Sequence, residues 1–336
     1  MSAALRADVV VVGGGAAGLA AAVALARSRR DVLVVDAGQP RNAPADAAHN
    51  VLGREGTPPL ELLARGRAEA RSYGARVVDG LVTGAGGTVD DFALEVDGGA
   101  LHVRARRVVL ATGLVDELPE LPGVREAWGR SVLHCPFCHG WEVRGKRIAV
   151  LARDAGALHQ VLLFRRLSDD VTLFLHEAPE PDEEQWEQLA ALGVRVVTPR
   201  VERLVVEGAQ VRAVRLEGGR TFPVDAVVVA PRFVARTALY EALGGEATPT
   251  PAGARIEADE RGATAVPGVR VAGNAAEPTA MVAAAAASGV LVGAAVHGEL
   301  AAADLARAVR ERRAPFSAAA EARVSALVLG DRRHGL

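Results

Sequence analysis

A glycine-rich turn between two apolar segments constrains the fold of this chain more than any other feature. Asp8–Val12 is a β-branched run typical of a buried parallel strand, and a similar run ends at Asp36. Between them, Gly13-Gly14-Gly15-Ala16-Ala17-Gly18 satisfies G-x-G-x-x-G and leads into an Ala-rich segment with helical spacing. This order is a complete βαβ unit of the kind that binds dinucleotides, and it predicts an α/β fold.

Each position of the motif has a physical role. Gly13 permits the tight turn, Gly15 lets the backbone approach a pyrophosphate, and Gly18 lets the helix pack on the strand. The helix N-terminus adds N–H groups and a positive dipole end for the phosphates. Asp36 is placed to accept hydrogen bonds from a pair of ribose hydroxyls. The motif alone leaves FAD and NAD as alternatives.

Composition narrows the class of protein. The 336 residues suggest about two domains at roughly 150 residues each. The net charge of −2 indicates neither a nucleic acid nor an anionic membrane as partner. The N-terminus lacks the features of a signal peptide. The apolar run Ala280–Val296 is too short for a membrane span and predicts a buried helix, so we expect a cytoplasmic protein.

The two cysteines form a CxxC pair in the segment His134-Cys135-Pro136-Phe137-Cys138-His139-Gly140. Two cysteines are too few to staple a secreted fold. A CxxC loop can close a small disulfide ring, and one of its thiols usually has a lowered pKa. Either flanking histidine could exchange protons with a thiolate near neutral pH. The segment therefore favours a redox-active pair.

Three other interpretations of the CxxC pair are weaker. A zinc site needs four converging ligands, and the sequence has no second cysteine pair, so we predict no metal site. A thioredoxin fold places its CxxC after an early strand, which this chain does not do. Inert core cysteines would not need the neighbouring proline and histidines.

A second βαβ unit begins at Lys146, but its turn has lost the glycines. The expected glycine positions hold Ala152, Asp154 and Ala157. Asp154 would place a carboxylate where a pyrophosphate must sit. An NADPH site needs Arg or Lys after the next strand, Val171–Leu175, where this chain has an acidic segment. Glu177 in that segment could hold the ribose of NADH, so NADH stays open, but the lost glycines favour a Rossmann-type fold without a nucleotide.

Two later motifs complete the pattern. The strand Arg107–Leu110 closes in Ala111-Thr112-Gly113, and the strand Gly268–Val271 runs into Ala272-Gly273-Asn274 before a long Ala-rich helix. This order, with CxxC between the halves, resembles the flavoprotein disulfide reductases and, within them, low-molecular-weight thioredoxin reductase. The resemblance covers about residues 6–300. It implies two Rossmann-like FAD/NAD(P)-binding domains, the second inserted into the first, and a homodimer.

The resemblance also implies the domain limits. The FAD-binding domain should be discontinuous, over residues 1–119 and 245–336, and the inserted NAD(P)-binding-like domain should cover 120–244 and carry the CxxC pair. Residues 77–106 read as short alternating strands of a β-meander. Residues 301–313 are predicted to be helical, and the tail 315–336 to form an amphipathic helix followed by residues 331–336.

FAD is the cofactor that the resemblance implies. In the family, the late Ala-Gly-Asp motif contacts the flavin ribityl chain, and Asn274 stands at the usual aspartate. The family segment matching His49 and Asn50 approaches the flavin. The predicted FAD-binding residues are Gly13, Gly15, Ala16, Ala17, Gly18, Asp36, Ala37, Gly38, Arg41, Asn42, His49, Asn50, Val82, Ala111, Thr112, Gly113, Gly273, Asn274, Met281 and Val282.

CPFCHG and the degenerate second site are similar to one branch of the family, the FAD-dependent dithiol oxidases. These enzymes close disulfides in small dithiols and pass the electrons to oxygen, which forms hydrogen peroxide. The reductases read CxxC-Asp-Gly with Asp as proton-transfer group, so His139 matches that position. The resemblance makes Cys138 the sulfur that contacts the flavin and Cys135 the outer sulfur. His134 is a further candidate for catalysis.

Three other functions stay open. The chain could be an NAD(P)H-dependent thioredoxin or disulfide reductase with an unusual nucleotide site. It could be a non-catalytic flavin-bound redox sensor, although the intact CPFCHG disfavours this. It could also keep the disulfide chemistry but take electrons from another protein, such as ferredoxin. No motif specifies the dithiol, which could be a small molecule or a protein.

Overall fold

The computed structural model describes residues 4–313 and 317–329. Its N-terminal part is built on the βαβ unit around the glycine motif. The elements there are β1 (Leu5–Val12), α1 (Ala16–Arg27), β2 (Val32–Asp36), α2 (Pro59–Ser72), β3 (Arg76–Asp79), β4 (Val82–Thr88), β5 (Asp91–Val96), β6 (Leu101–Leu110) and β7 (Leu114–Glu117).

The middle of the chain contains the second βαβ unit, and the C-terminal part returns to the first sheet. The middle elements are α3 (Val124–Ala127), β8 (Val132–Leu133), α4 (Pro136–His139), β9 (Ile148–Leu151), α5 (Ala157–Arg165), β10 (Val171–Phe174), α6 (Glu183–Ala191), β11 (Arg195–Val197), β12 (Val201–Glu207), β13 (Gln210–Leu216), β14 (Thr221–Pro223) and β15 (Ala226–Val228). The C-terminal elements are β16 (Arg232–Ala235), α7 (Ala238–Ala242), β17 (Thr248–Thr250), β18 (Gly253–Arg255), β19 (Val269–Val271), α8 (Val282–Arg313) and α9 (Ala318–Leu329).

The first sheet is Rossmann-like. Parallel strands run in the order β3-β2-β1-β6, β19 pairs in parallel with β6, and β5 and β4 extend the sheet in antiparallel fashion. Its β-branched strands are covered by apolar clusters on both faces, as buried parallel strands require. The predicted strands are confirmed. The predicted meander is confirmed for β4, β5 and β6, whereas β3 pairs in parallel with β2.

The second sheet is also parallel and Rossmann-like, in the order β11-β10-β9-β15-β8. A small antiparallel sheet, β12-β13-β14, lies beside it. β8 ends at Leu133, so His134 and the CxxC pair follow the carboxyl end of a parallel strand, where ligand sites of such sheets lie. Two Rossmann-like units confirm the predicted fold class.

A further sheet has four strands in the order β17-β18-β16-β7. Its strands β7 and β16 lie directly before and after the second Rossmann-like unit along the chain. β16 lies inside the range 120–244 predicted for the inserted domain, yet it pairs with β7 and β18, which flank that range. The division into 1–119 plus 245–336 and 120–244 stays a prediction.

The helices predicted at 280–296 and 301–313 are one 32-residue helix, α8. Gly289 and Gly293 let α8 lie against α1, since a Cβ on Gly289 would overlap the carbonyl oxygen of Ala17. Among the described residues, α8 alone is long and apolar enough to cross a membrane by length and composition. Its expected burial holds for one face only, because Val290 and Leu291 are half exposed. α9 confirms the helix in the tail, and residues 331–336 lie outside the described residues.

Candidate active site

A cavity of about 1240 Å³ runs between the two Rossmann-like units and brings most of the predicted site together. This exceeds the usual volume of a drug-sized pocket, roughly 300–1,000 Å³. The predicted residues that line it are Gly13, Gly15, Ala16, Ala17, Asp36, Ala37, Arg41, Asn42, His49, Val82, Ala111, Thr112, Gly113, Gly273, Asn274, Met281 and Val282, with His134, Cys135, Cys138 and His139. Three described residues of the predicted set, Gly18, Gly38 and Asn50, lie outside the lining.

The glycine turn has the geometry that a pyrophosphate needs. Gly13 has a φ of +106°, and a Cβ there would overlap the carbonyl oxygen of Ala111. A Cβ on Gly18 would overlap the carbonyl oxygen of Gly13, which explains its place outside the lining. Gly15 faces open space, and among the described residues no side chain caps α1. The N–H groups of the first turn of α1 therefore point to a cavity that fits a phosphate group.

Asp36 is already engaged by a side chain that the sequence analysis missed. Arg67 of α2 forms an ion pair with Oδ2 of Asp36 and a second one with Asp79, at 2.7 Å. The carboxylate lies over Gly14, where a Cβ would come within 2.5 Å of Oδ2. Because an ionised carboxylate has about four lone-pair sites, Asp36 can keep its bond to Arg67 and still accept from a ribose hydroxyl.

Asn274 holds the loop that leads to α8. Its Nδ2 lies within hydrogen-bond distance of the carbonyl oxygens of Glu277, Pro278 and Ala280, at 3.1, 3.2 and 2.8 Å, so its two N–H groups are shared among three acceptors. An aspartate could not donate these bonds, so the asparagine has a structural reason here. Its Oδ1 is the atom suited to the predicted ribityl contact.

The CxxC pair is closed as a disulfide between Cys135 and Cys138, with 5.3 Å between the Cα atoms. Cys135 precedes the single turn α4, and Pro136 takes the first helical position, where a missing N–H costs nothing. The N–H groups of Cys138 and His139 both donate to the carbonyl of Cys135, at 3.3 and 3.2 Å. The turn therefore places both sulfur-bearing residues in the lining of the cavity.

His134, which directly precedes Cys135, is held by three residues from other parts of the chain. Its Nδ1 lies 3.2 Å from the carbonyl oxygen of Val229 and 3.2 Å from the side-chain amide of Gln160. Phe233 packs edge-on against the ring. The Val229 carbonyl oxygen accepts from Nδ1 in one tautomer of the ring, and the amide nitrogen of Gln160 donates to Nδ1 in the other. Burial lowers the pKa of His134, so the ring is neutral near pH 7.

His139 lies between the main cavity and a smaller polar cavity of about 200 Å³. Burial lowers the pKa of His139, and the nearby Glu142 carboxylate only partly opposes this. A neutral imidazole at this place can accept a proton from a thiol in the main cavity. The smaller cavity is lined by Asp46, Ala47, His49, Arg130, Ser131, His139, Glu142, Val143, Lys146, Gln210 and Asp225.

Comparison with known proteins identifies the family. Residues 7–289 match the family model described as pyridine nucleotide-disulphide oxidoreductase. The chain belongs to this family.

Its relatives include fungal enzymes. It is 32% identical to the thioredoxin reductase tcpT of Claviceps purpurea (strain 20.1) over 253 residues, 72% of this chain and 78% of the relative. It is 30% identical to the thioredoxin reductase sirT of Leptosphaeria maculans over 317 residues, 89% of this chain and 96% of the relative. The crystal structure of HlmI is 42% identical with a TM-score of 0.84 and covers 93% of this chain and 97% of that one. The protein is thus a thioredoxin-reductase-like thiol–disulfide oxidoreductase that uses FAD.

Arg41 of this oxidoreductase lines the cavity and contacts two residues of the four-stranded sheet, Asp116 and Phe233. Its guanidinium makes a two-pronged ion pair with Asp116, at 2.6 and 2.8 Å, and lies 4.9 Å from the centre of the Phe233 ring. Asp116 is almost fully buried. Arg41 was predicted as a cofactor contact, but neither Asp116 nor Phe233 carries a sequence signal, because their pairing is created by β7 and β16.

At the turn of the second βαβ unit and after its second strand, side chains of the oxidoreductase bond to its own backbone and to one another. Oδ1 of Asp154 accepts the Gly156 N–H at 2.8 Å, so the carboxylate sits at the turn before α5. Glu177 forms ion pairs with Arg153 and Arg200, at 3.2 and 2.7 Å. These two arginines offset part of the negative charge of the acidic segment. The sequence did not indicate this, because Arg200 lies 23 residues after Glu177.

In the described part of the chain, no group of three or more His, Cys, Asp or Glu side chains is arranged to hold a metal ion.

Proposed function

We propose that this protein is a dithiol oxidase that uses FAD, converts a dithiol into a disulfide and passes the electrons to oxygen. One contrast carries the proposal: the CxxC disulfide lies at a large cavity lined by most predicted cofactor residues, while the turn of the second βαβ unit carries the Asp154 carboxylate, which would repel the phosphates of a nicotinamide nucleotide. The family supports disulfide chemistry. The balanced reaction is one dithiol plus O₂, giving one disulfide plus hydrogen peroxide.

The residues of the chain carry the exchange steps. A substrate thiolate attacks Sγ of Cys135, the Cys135–Cys138 bond breaks, and Cys138 leaves as a thiolate. The second substrate thiol loses its proton to His139 and attacks the substrate sulfur bound to Cys135, which breaks the mixed disulfide and releases Cys135 as a thiolate. The substrate leaves as a disulfide, and the enzyme keeps two electrons as a dithiol. When FAD is bound, it would supply an acceptor for the two electrons of this dithiol, next to Cys138, and a route for them to oxygen.

His139→Asn is expected to lower kcat by roughly 10²-fold, the lower end of what a general base contributes. In the wild type, a protonated His139 cannot act as base, so activity should fall on the acid side, through a pKa below the ordinary value of 6.5. The variant should lose this acid limb. Peroxide formation from dithiothreitol between pH 5 and 8 measures both effects, and an unchanged acid limb would contradict the role of His139.

A second candidate is an NAD(P)H-dependent disulfide reductase. Two observations favour it: the relatives tcpT and sirT are named thioredoxin reductases, and Arg153 and Arg200 bring positive charge to the second nucleotide position. In that case, NADPH or NADH would replace the substrate dithiol as electron source, and the substrate would be a disulfide.

Anaerobic mixing separates the two candidates. We expect dithiothreitol to bleach the flavin absorbance of the yellow protein, and NADPH and NADH to leave it unchanged for minutes, because Asp154 and the missing glycines oppose nucleotide binding. Oxygen uptake with dithiothreitol should not depend on NADPH. Bleaching by either nucleotide within seconds would favour the reductase.

We also propose a cytoplasmic homodimer that acts on a small dithiol, or on a dithiol of a protein. A reducing compartment suits a substrate that must arrive as a dithiol. The net charge of −2 gives no reason to expect a polyanion or an anionic membrane as partner.

A further inference from the structure

Glu55 is an exposed carboxylate that contacts His49 and Asn50. These two residues reach the turn over residues 135–140 that carries the CxxC pair, here called the redox turn, and the segment that follows it. Oε1 of Glu55 lies 2.6 Å from Nδ1 of His49, and its Oε2 accepts the backbone N–H of Asn50 at 2.8 Å. Asn50 has a φ of +59°, a left-handed conformation that asparagine tolerates better than most residues. Glu55 thus fixes both the ring of His49 and the backbone from which the Asn50 side chain extends.

Asn50 contacts the redox turn directly. Its Nδ2 donates to the carbonyl oxygen of Phe137 at 2.7 Å. α4 ends at His139, so this carbonyl belongs to the last turn of a helix, where carbonyls lack partners within the helix. The bond therefore fixes the peptide that immediately precedes Cys138.

His49 contacts the other end of the same segment. Its Nε2 lies 3.4 Å from Oε1 of Glu142, three residues beyond His139. The His49 ring has a carboxylate at each nitrogen, so it connects Glu55 to Glu142, just beyond the redox turn. The loop itself is closed independently, because Ala48 and Thr57 form a β-bridge. Glu55 is thus not needed to close the loop and acts on the orientation of His49 and Asn50.

We propose that Glu55 is a positioning residue of the redox site, which holds Asn50 and His49 against the turn that carries Cys138. The inference rests on the proposed function for its kinetic consequence only. Glu55 lies outside the cavity lining, so it acts through its two partners and not on the substrate.

Glu55→Ala should lower kcat for dithiothreitol oxidation roughly tenfold with little change in KM, since small misplacements of reacting groups are costly while substrate contacts stay intact. Glu55→Gln keeps one acceptor oxygen and should fall between Ala and the wild type. The matched control is Glu61→Ala, which removes an exposed glutamate paired with Arg65 on α2 and should leave kcat unchanged. Thermal stability should change little in all three variants, because exposed ion pairs contribute little.

Hydrogen exchange of the FAD-loaded protein, measured without any dithiol, gives a readout that does not depend on activity. In Glu55→Ala, the amides of Cys138, His139 and Gly140 should exchange faster than in the wild type and in Glu61→Ala. Unchanged exchange over residues 135–141 would overturn the proposal, even if the wild type proved to be an active dithiol oxidase. Faster exchange would support it, even if the wild type failed to oxidise dithiothreitol.

A double-variant cycle tests whether Glu55 acts through Asn50. We expect Glu55→Ala to accelerate exchange less in an Asn50→Ala background than in the wild type, because one of its two routes is already lost. Fully additive effects would overturn the role assigned to Glu55.

Discussion

Cys138→Ser is expected to lower dithiol oxidation by roughly 10³-fold or more, as the loss of a reacting group does in other enzymes. A hydroxyl cannot form the bond to Cys135 that the structure shows, so the variant has no disulfide to offer to a substrate thiolate. Oxygen uptake and peroxide formation with dithiothreitol measure the loss. The variant should keep its FAD and its melting temperature, because the serine retains the place of Cys138 in α4.

Cys135→Ser is the matched control. It should be equally inactive, but the two variants should differ in colour if Cys138 is the sulfur that faces the flavin. A thiolate stacked on bound FAD adds a long-wavelength absorption band, which we expect in Cys135→Ser and not in Cys138→Ser. The opposite result would reverse the assignment of the two sulfurs. Wild-type peroxide formation by Cys138→Ser would contradict the oxidase mechanism and favour a redox sensor.

Much of the fold could be predicted because its signals are local. The turn at Gly13 needs a positive φ, and the strands beside it are β-branched runs buried on both faces, so spacing along the chain is enough to place them. The same holds for the CxxC turn, because Pro136 begins the short helix α4 and Gly140 follows its last residue within one short segment. These elements bring the predicted catalytic residues and most predicted cofactor residues to one cavity.

The partners of these residues could not be predicted in this way, because tertiary pairing joins distant segments. Arg67 reaches Asp36 only because α2 packs beside the first sheet, and Arg200 reaches Glu177 only because β11 follows β10 in the second sheet. Glu55 lies close to His49 in sequence, but its effect depends on the contact of Asn50 with Phe137 across 87 residues. Side chains of this kind adjust a site whose position the local motifs already determine.

Gly15→Val and Gly18→Val, two substitutions in one motif, should fail in different ways. Gly15 has an extended backbone conformation, with φ −77° and ψ −174°, which valine can adopt. A Cβ at Gly15 faces open space in the cavity, so the valine side chain would occupy the place expected for the pyrophosphate. We expect a folded protein that binds almost no FAD. Gly18 faces the carbonyl oxygen of Gly13, so its valine should destabilise the fold by about 3 kcal/mol or more.

The ratio of flavin to protein absorbance and the melting temperature distinguish these outcomes. Because bound FAD stabilises the folded state by mass action, Gly15→Val must be compared with FAD-stripped wild type, which it should match. Gly18→Val should melt well below that reference or fail to accumulate as folded protein. Wild-type FAD content in Gly15→Val would mean that the pyrophosphate does not lie at this turn, and the predicted cofactor role of Gly13 and Gly15 would then be wrong.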